Sequence, residues 1–255
     1  MDLIHNIDLN CDLGESPGNQ SNPIDEALLH LISSANIACG FHAGDALRME
    51  ITVAAAKQRG VAIGAHPGFE DKENFGRIPM PISPREAYQL VLYQVGALSA
   101  FVKAADASLH HVKLHGALYN MVAQDRALSE SIVQAILDFD PKLKLYALAG
   151  SVTVEIAQKN NLSVVQEGFA DRRYNSDGTL VSRQHPDALI TNTEEAVQQS
   201  IDMIKRKTIR TIDGSFNYCQ IDTICLHGDG AHALEFAQQL RQQLLTENIN
   251  ICAPE

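Results

Sequence analysis

The chain of 255 residues has no run of apolar residues approaching the roughly 18 that a membrane-spanning helix needs, although 45% of it is hydrophobic. Apolar residues so interrupted belong to one substantial folded core. The sequence also lacks an excess of basic charge. Its 20 Lys and Arg stand against 31 Asp and Glu, a formal net charge of -11, which repels a phosphate backbone rather than releasing its counterions. Neither nucleic acid nor a membrane is an expected partner. Met1, Asp2 and Leu3 carry no basic stretch of the kind that opens a secretory leader. The five cysteines (Cys11, Cys39, Cys219, Cys225, Cys252) form no CxxC pair. A disulfide framework and a structural zinc site are therefore not suggested, and a reducing cytoplasm is the expected location. Absent too are a GxxxxGKS/T phosphate loop, short-period repeats, low-complexity tracts and long linkers.

What is present is an alternation of short apolar or β-branched runs with helical patterns, about seven times over, which predicts a parallel sheet. The expected strands are Asn6 to Asn10, Asn36 to Gly40, Val61 to Ala65, His111 to His115, Leu143 to Ala147, Ser163 to Glu167 and Thr223 to His227. Helices are expected over Pro23 to Ser34, Pro84 to Ala105 and Glu194 to Lys205, the first opened by Pro with Asp25 and Glu26 at its positive end. A single α/β barrel over residues 1–255 fits this pattern, with an open doubly wound sheet as the alternative. Two segments break the alternation and are candidate lids: Phe69 to Ile82, and Phe169 to Asn192 with its Asn175-Ser176-Asp177-Gly178 turn. Thr208 to Gln220, around Asp213-Gly214, reads as a short hairpin without chemistry.

Polar residues gather where the expected strands end, the face on which barrels build their sites. Asp8, Asn10 and Asp12 alternate with apolar neighbours, so they share one strand face and point inward, with Glu15 just beyond. Carboxylates buried together raise one another's pKa unless a cation or a donor compensates, which is how acid/base pairs and metal sites arise. The plainer alternative is that Asp12 and Glu15 cap loops while Asp8 pairs with Lys113. His42 with Asp45, His66, and His115 with Tyr119 follow the next strands. Each histidine serves equally as a general base, a metal ligand or a hydrogen-bonded structural residue, and His66 before Pro67-Gly68 is explained by turn formation alone. Lys113, between Val112 and Leu114, needs a carboxylate or an anionic substrate. Asp171 and Arg172 follow the sixth strand, where Arg172 is suited to gripping a carboxylate. Gly228-Asp229-Gly230 offers a weak phosphate-binding turn.

The strings DLNCDLGE from Asp8, ANIACGFHAGD from Ala35, GAHPGF from Gly64, VKLHGALYN from Val112, EGFADRRY from Glu167, DGTLVSR from Asp177 and CLHGD from Cys225 together resemble the LamB/YcsF family over nearly the whole chain. Leu114 departs from the VKPHG form of the fourth string, without removing Lys113 or His115. The resemblance implies a seven-stranded parallel β/α barrel, a distorted TIM-like fold of the glycoside hydrolase/deacetylase type. It also implies membership in an ATP-dependent 5-oxoprolinase built with two other subunits, B and C, which converts 5-oxo-L-proline, ATP and water to L-glutamate, ADP and phosphate.

On these residues Asp12, His42, Lys113 and His115 are the expected catalytic set. Asp8, Asn10, Glu15, Asp45, His66, Asp171 and Arg172 are expected to surround the substrate, and Gly228, Asp229 and Gly230 to meet nucleotide. ATP is the expected co-substrate. A divalent ion is expected either as Mg with the ATP or at Asp12, His42 and His115. A homo-oligomer is left open. Two rivals remain: a metal-dependent carbohydrate deacetylase, against which stands the absence of HxxxH after the second strand, and a non-catalytic scaffold, because fold alone decides no function.

Overall fold

A computed structural model describes residues 5–16, 23–226 and 233–255. Ten strands are present among them: β1 (His5–Leu13), β2 (Ser34–Ala38), β3 (Ala62–His66), β4 (Leu109–Lys113), β5 (Lys144–Leu148), β6 (Val164–Phe169), β7 (Thr208–Arg210), β8 (Phe216–Tyr218), β9 (Thr223–Leu226) and β10 (Ile249–Ile251). Seven of them close a parallel barrel in the order β1-β2-β3-β4-β5-β6-β9, with β9 returning to β1. Strand β1 is shared lengthwise. Its first residues, His5 to Ile7, pair with β10, and Asp8 to Cys11 pair with β9. Strands β7 and β8 form the expected hairpin outside the barrel.

All seven expected strands are found, with shifted ends. Strand β2 begins at Ser34 and β4 at Leu109, each two residues earlier than the apolar runs suggest. At β2 the reason is polar: Ser34 is wholly buried and donates to Asp8 inside the barrel, so a polar residue occupies a strand position that an apolar search passes over. His115 stands just beyond β4, at the N-cap position of a helix.

The outer ring comprises α1 (Pro23–Leu28), α2 (Ala46–Gln58), α3 (Pro84–Ala104), α4 (Gly116–Val122), α5 (Arg126–Phe139), α6 (Val152–Lys159), α7 (Thr193–Ile201) and α8 (Ala233–Thr246), with a π-helical turn over Asp202–Arg206. Their starts are written locally. Pro84 sits in the first turn of α3, where Ser83 and Glu86 form a reciprocal capping box, while Asp45, Asp125 and Asn192 cap α2, α5 and α7. Among the described residues no helix is long and apolar enough to cross a membrane.

Two kinds of interior result. Between strands and helices lies an apolar shell that includes Leu9, Leu13, Ile37, Leu98, Ile132 and Ile136, all fully buried. Each such side chain contributes roughly 1.5–3 kcal/mol on burial, against about 1 kcal/mol net for an ordinary hydrogen bond. The shell therefore carries the stability. Inside the barrel the residues are polar, and this second interior holds the site.

Candidate active site

Asp8, Asn10 and Asp12 do share one face of β1 and rise through the barrel in three layers. In the deepest, Asp8 accepts hydrogen bonds from Ser33 (2.6 Å), Ser34 (2.7 Å), Thr223 (2.6 Å) and Tyr146 (3.0 Å). Burial raises its pKa despite these four donors. In the middle layer Asn10 donates to Glu167 and Thr223 and accepts from Asn36 (2.7 Å). His111 fills the remaining space, bonded to Asn36 (2.7 Å) and stacked on Tyr146. It fits because residue 64 is glycine, where a Cβ would come within 2.0 Å of the imidazole.

Lys113 joins the middle layer to the mouth. Its Nζ lies 2.9 Å from Glu167 Oε1 and 3.0 Å from each of Asp12 Oδ1, Asn10 Oδ1 and Cys225 Sγ. Burial opposes the charge, but Asp12, Cys225 and Glu167 outweigh it and hold the ammonium's pKa well above the ordinary lysine value. The counterions are thus Asp12 and Glu167, while Asp8 is served by hydroxyls.

At the mouth, imidazoles and carboxylates converge. His66 Nε2 is 3.3 Å from Asp12 Oδ2 and 2.9 Å from His115 Nδ1. Glu15 Oε1 lies 3.2 Å from His42 Nε2 and 3.6 Å from His115 Nδ1. The His42 ring stacks on His115 at 3.7 Å, the two planes within 4°. Glu15, His42, His66 and His115 each offer a ligand atom, all within 4.8 Å of one another, a set that could hold a metal ion. Burial and the neighbouring imidazoles lower the pKa of His42 well below the usual range and that of His115 to about 3. Both rings are therefore neutral at pH 7, available as bases or ligands.

Both segments that interrupt the alternation reach this mouth. In the first, Phe75 and Gly76 adopt consecutive left-handed conformations (φ 56° and 60°). This turns the Phe75 carbonyl onto His115 Nε2 at 2.8 Å and lays the Phe75 ring edge-on against His42 and His115. At Gly76 a Cβ would meet His42 at 2.8 Å, so glycine serves there both for its conformation and for the space. The second segment supplies Arg172, whose Nη2 donates to the Val181 carbonyl (2.6 Å). Burial and the nearby Arg183 lower its pKa to about 10, and Asp171 opposes that shift.

The cavity enclosed here has a volume of about 50 Å3 and is lined by Asp12, Glu15, His66, Lys113, His115 and Arg172 from the expected set, together with Phe75, Arg77, Tyr119, Phe169, Leu180 and Arg183. It shares Arg77, Arg172 and Arg183 with a neighbouring groove of about 730 Å3. Asp8, Asn10, His42, Asp45 and Asp171 do not line the cavity. His42 stands behind His115, and the Asp45 carboxylate accepts from Arg48 N at the start of α2. Gly228, Asp229 and Gly230 lie outside the described residues. Sequence reading missed Phe75 and Arg77. The signal that could have found them is Gly76 between them, a left-handed position in a segment already marked as irregular.

Known proteins match this architecture along its whole length. A protein from Tolumonas auensis, named as the A component of 5-oxoprolinase, is 52% identical over 247 residues, 97% of this chain and 98% of the relative. A lactam utilization protein from Thermus thermophilus, known from a crystal structure, is 43% identical with a TM-score of 0.90, over 98% of this chain and 100% of that one. The catalytic domain of a peptidoglycan N-acetylglucosamine deacetylase from Eubacterium rectale shares the fold alone, at 10% identity and a TM-score of 0.52, over 100% of this chain and 90% of that one. The LamB/YcsF family model matches residues 7–255. With the strand-end motifs assembled around one cavity, the chain belongs to the LamB/YcsF family.

Proposed function

We propose that this chain is the lactam-handling component of an ATP-dependent 5-oxoprolinase, acting with two other subunits, B and C, to convert 5-oxo-L-proline to L-glutamate as ATP becomes ADP and phosphate. The observation that carries this reading is the cavity's lining, which brings the guanidinium groups of Arg77, Arg172 and Arg183 together with the Asp12, His66, His115 and Lys113 cluster. A volume of about 50 Å3 admits the centres of only a few waters, which suits a small compact acid and not a nucleotide. Relatives at about this chain's length and 52% identity carry the matching component name.

A five-membered lactam is a poor electrophile and its opening is not strongly downhill, so phosphorylating the lactam oxygen supplies both a leaving group and a driving force. On this chain the substrate carboxylate is assigned to Arg172, bidentate and held from behind by the Val181 carbonyl. Asp12, fixed by Lys113 and His66, orients the attacking or leaving group. Neutral His115, its Nε2–H held by the Phe75 carbonyl, presents Nδ1 as a base or a ligand. Lys113, ion-paired with Asp12 and Glu167, adds positive potential where negative charge develops. The groove outside the cavity, with its arginines, faces the phosphoryl chemistry, with Mg accompanying the ATP and the nucleotide bound at residues 228–230 or on a partner.

The test is calorimetry of the isolated chain with 5-oxoproline, followed by assay of 5-oxoproline-dependent ADP formation after mixing with both partner subunits. Heat of binding and reconstituted turnover are expected. Turnover that is unchanged when this chain is left out would overturn the assignment, and a chain that restores turnover without binding the lactam would leave only the scaffold role.

A further inference from the structure

The three histidines at the cavity mouth are not equivalent, and their hydrogen bonds say how they differ. His66 Nδ1 lies 2.8 Å from the Lys113 carbonyl oxygen, and His115 Nε2 lies 2.8 Å from the Phe75 carbonyl oxygen. A carbonyl oxygen only accepts, so each of these ring nitrogens carries a hydrogen. An imidazole with a single N–H has its other nitrogen bare, and in that form His66 Nε2 and His115 Nδ1 are both bare. They face each other at 2.9 Å, lone pair toward lone pair, which is repulsive unless something positive lies between them.

His42 is disposed differently. Its Nδ1 is buried without a hydrogen-bond partner, against the backbone of Gly68, where a Cβ would come within 2.9 Å. Ligation through Nε2 would force the proton onto Nδ1 and bury an N–H with no acceptor. The economical tautomer keeps the proton on Nε2, which donates to Glu15 Oε1 at 3.2 Å. His42 is therefore a positioning residue for Glu15. Gly68 is itself pinned by two hydrogen bonds from buried Gln94, which fixes the wall behind the ring.

We infer that a divalent transition-metal ion binds between His66 Nε2 and His115 Nδ1, with carboxylate oxygens of Asp12 and Glu15 completing its protein ligands and His42 holding Glu15 from outside. This replaces His42 of the expected Asp12, His42 and His115 set with His66 and adds Glu15; it deepens the same cavity's chemistry, but it stands without the lactam assignment. Two nitrogens bound to one ion at about 2.1 Å lie ~3.0 Å apart at the right angle of an octahedral shell and ~3.4 Å apart at a tetrahedral angle, and these stand at 2.9 Å. Asp12 and Glu15 bring carboxylate oxygens to the two imidazoles, Asp12 at 3.3 Å from His66 Nε2 and Glu15 at 3.6 Å from His115 Nδ1. Backbone carbonyls that receive the far N–H of each ligand histidine are the usual outer support of such sites. Two imidazoles with two carboxylates select zinc, manganese, iron or cobalt over magnesium, which prefers an all-oxygen shell. Such an ion, when bound, polarises a carbonyl oxygen or acidifies a water.

The test is metal analysis of the purified full-length chain, followed by Co2+ titration of the chelator-treated protein read by visible absorption. One equivalent per chain is expected, with a cobalt spectrum insensitive to excess Mg2+. His66→Ala and His115→Ala should each weaken cobalt binding by at least roughly 100-fold, and His42→Ala by only roughly 10-fold, with circular dichroism checking that each variant is folded. No stoichiometric ion and no cobalt band in the wild-type chain would overturn the site in favour of a shared proton, a result that needs no variant. His42→Ala as damaging as His66→Ala would overturn the ligand assignment. A chain with neither stoichiometric metal nor a cobalt band that still supports 5-oxoproline-dependent ADP formation would reject the metal while leaving the lactam reading intact.

Discussion

Asp8 and Asp12 are the same residue type on the same face of one strand, four positions apart, and the barrel treats them oppositely. Asp8 is sealed at the deep end among the hydroxyls of Ser33, Ser34, Tyr146 and Thr223. Asp12 lies at the mouth, shared between the Lys113 ammonium and the His66 imidazole, with a cavity in front of it. A carboxylate satisfied by neutral donors in a closed layer has no unmet valence for a substrate. One held by a cation and an imidazole beside open space can exchange partners during a reaction. Position on an inward strand face thus makes a polar group a candidate, and its partners decide what it does.

The comparison breaks most visibly at Lys113, the cation that only the mouth possesses. Lys113→Met leaves the carboxylates of Asp12 and Glu167 without their buried counterion, which costs about 3–5 kcal/mol. Urea unfolding should register that loss, and 5-oxoproline-dependent turnover in the reconstituted complex should fall by at least roughly 10^3-fold. A variant with near-normal turnover would show that the deep and mouth layers differ only in geometry.

Next in size is Asp12→Asn, which keeps the shape and removes the charge. Turnover should drop roughly 10^2–10^4-fold while the urea midpoint moves far less than for Lys113→Met, since Glu167 remains 2.9 Å from the ammonium. A smaller effect is expected at the cavity's arginines. Arg172→Met should raise KM for 5-oxoproline roughly 10–100-fold, the worth of a charge-assisted hydrogen bond, with a lesser change in kcat. Arg172→Lys should not restore the wild-type KM, because an ammonium cannot reproduce the planar fork. Equal KM in all three proteins would move the carboxylate site away from Arg172.

The seven barrel strands were legible because parallel strands covered by helices read as apolar runs between polar breaks, and β1 announced its polar interior through the alternation of Asp8, Asn10 and Asp12 with Leu9 and Cys11. The partners of those residues were not legible. Asp8 meets side chains from β2, β5 and β9 and the residue before β2, up to 215 positions distant in sequence, and only closure of the barrel brings them together. His66 was hidden by a sufficient local explanation, the Pro67-Gly68 turn, whereas its place in the site comes from β3 lying beside β4. Arg77 arrives through the left-handed Phe75-Gly76 turn. The family strings carried what pairwise geometry could not, since six of the seven span a strand end and the barrel sets those ends around one mouth.

Asp8→Asn is the mildest change and the sharpest on the comparison. The Asp8 carboxyl has a folded-state pKa raised above its ordinary value of 3.8, so the native state holds this proton more tightly than the unfolded chain does. Its contribution to stability is then fully present below the ordinary value and is lost as pH rises through the folded value. An asparagine does not titrate. The urea midpoint of Asp8→Asn should therefore lie furthest below the wild type in acid and gain on it as pH rises from about 4 to 7. Hydroxyls of Ser34, Thr223 and Tyr146 can rotate to serve an amide as they serve a carboxylate, so the gap at pH 7 should be within about 1 kcal/mol. A gap that widens with pH would mean that Asp8 is stabilised as an anion, and hence that the deep layer owns a positive charge as the mouth does.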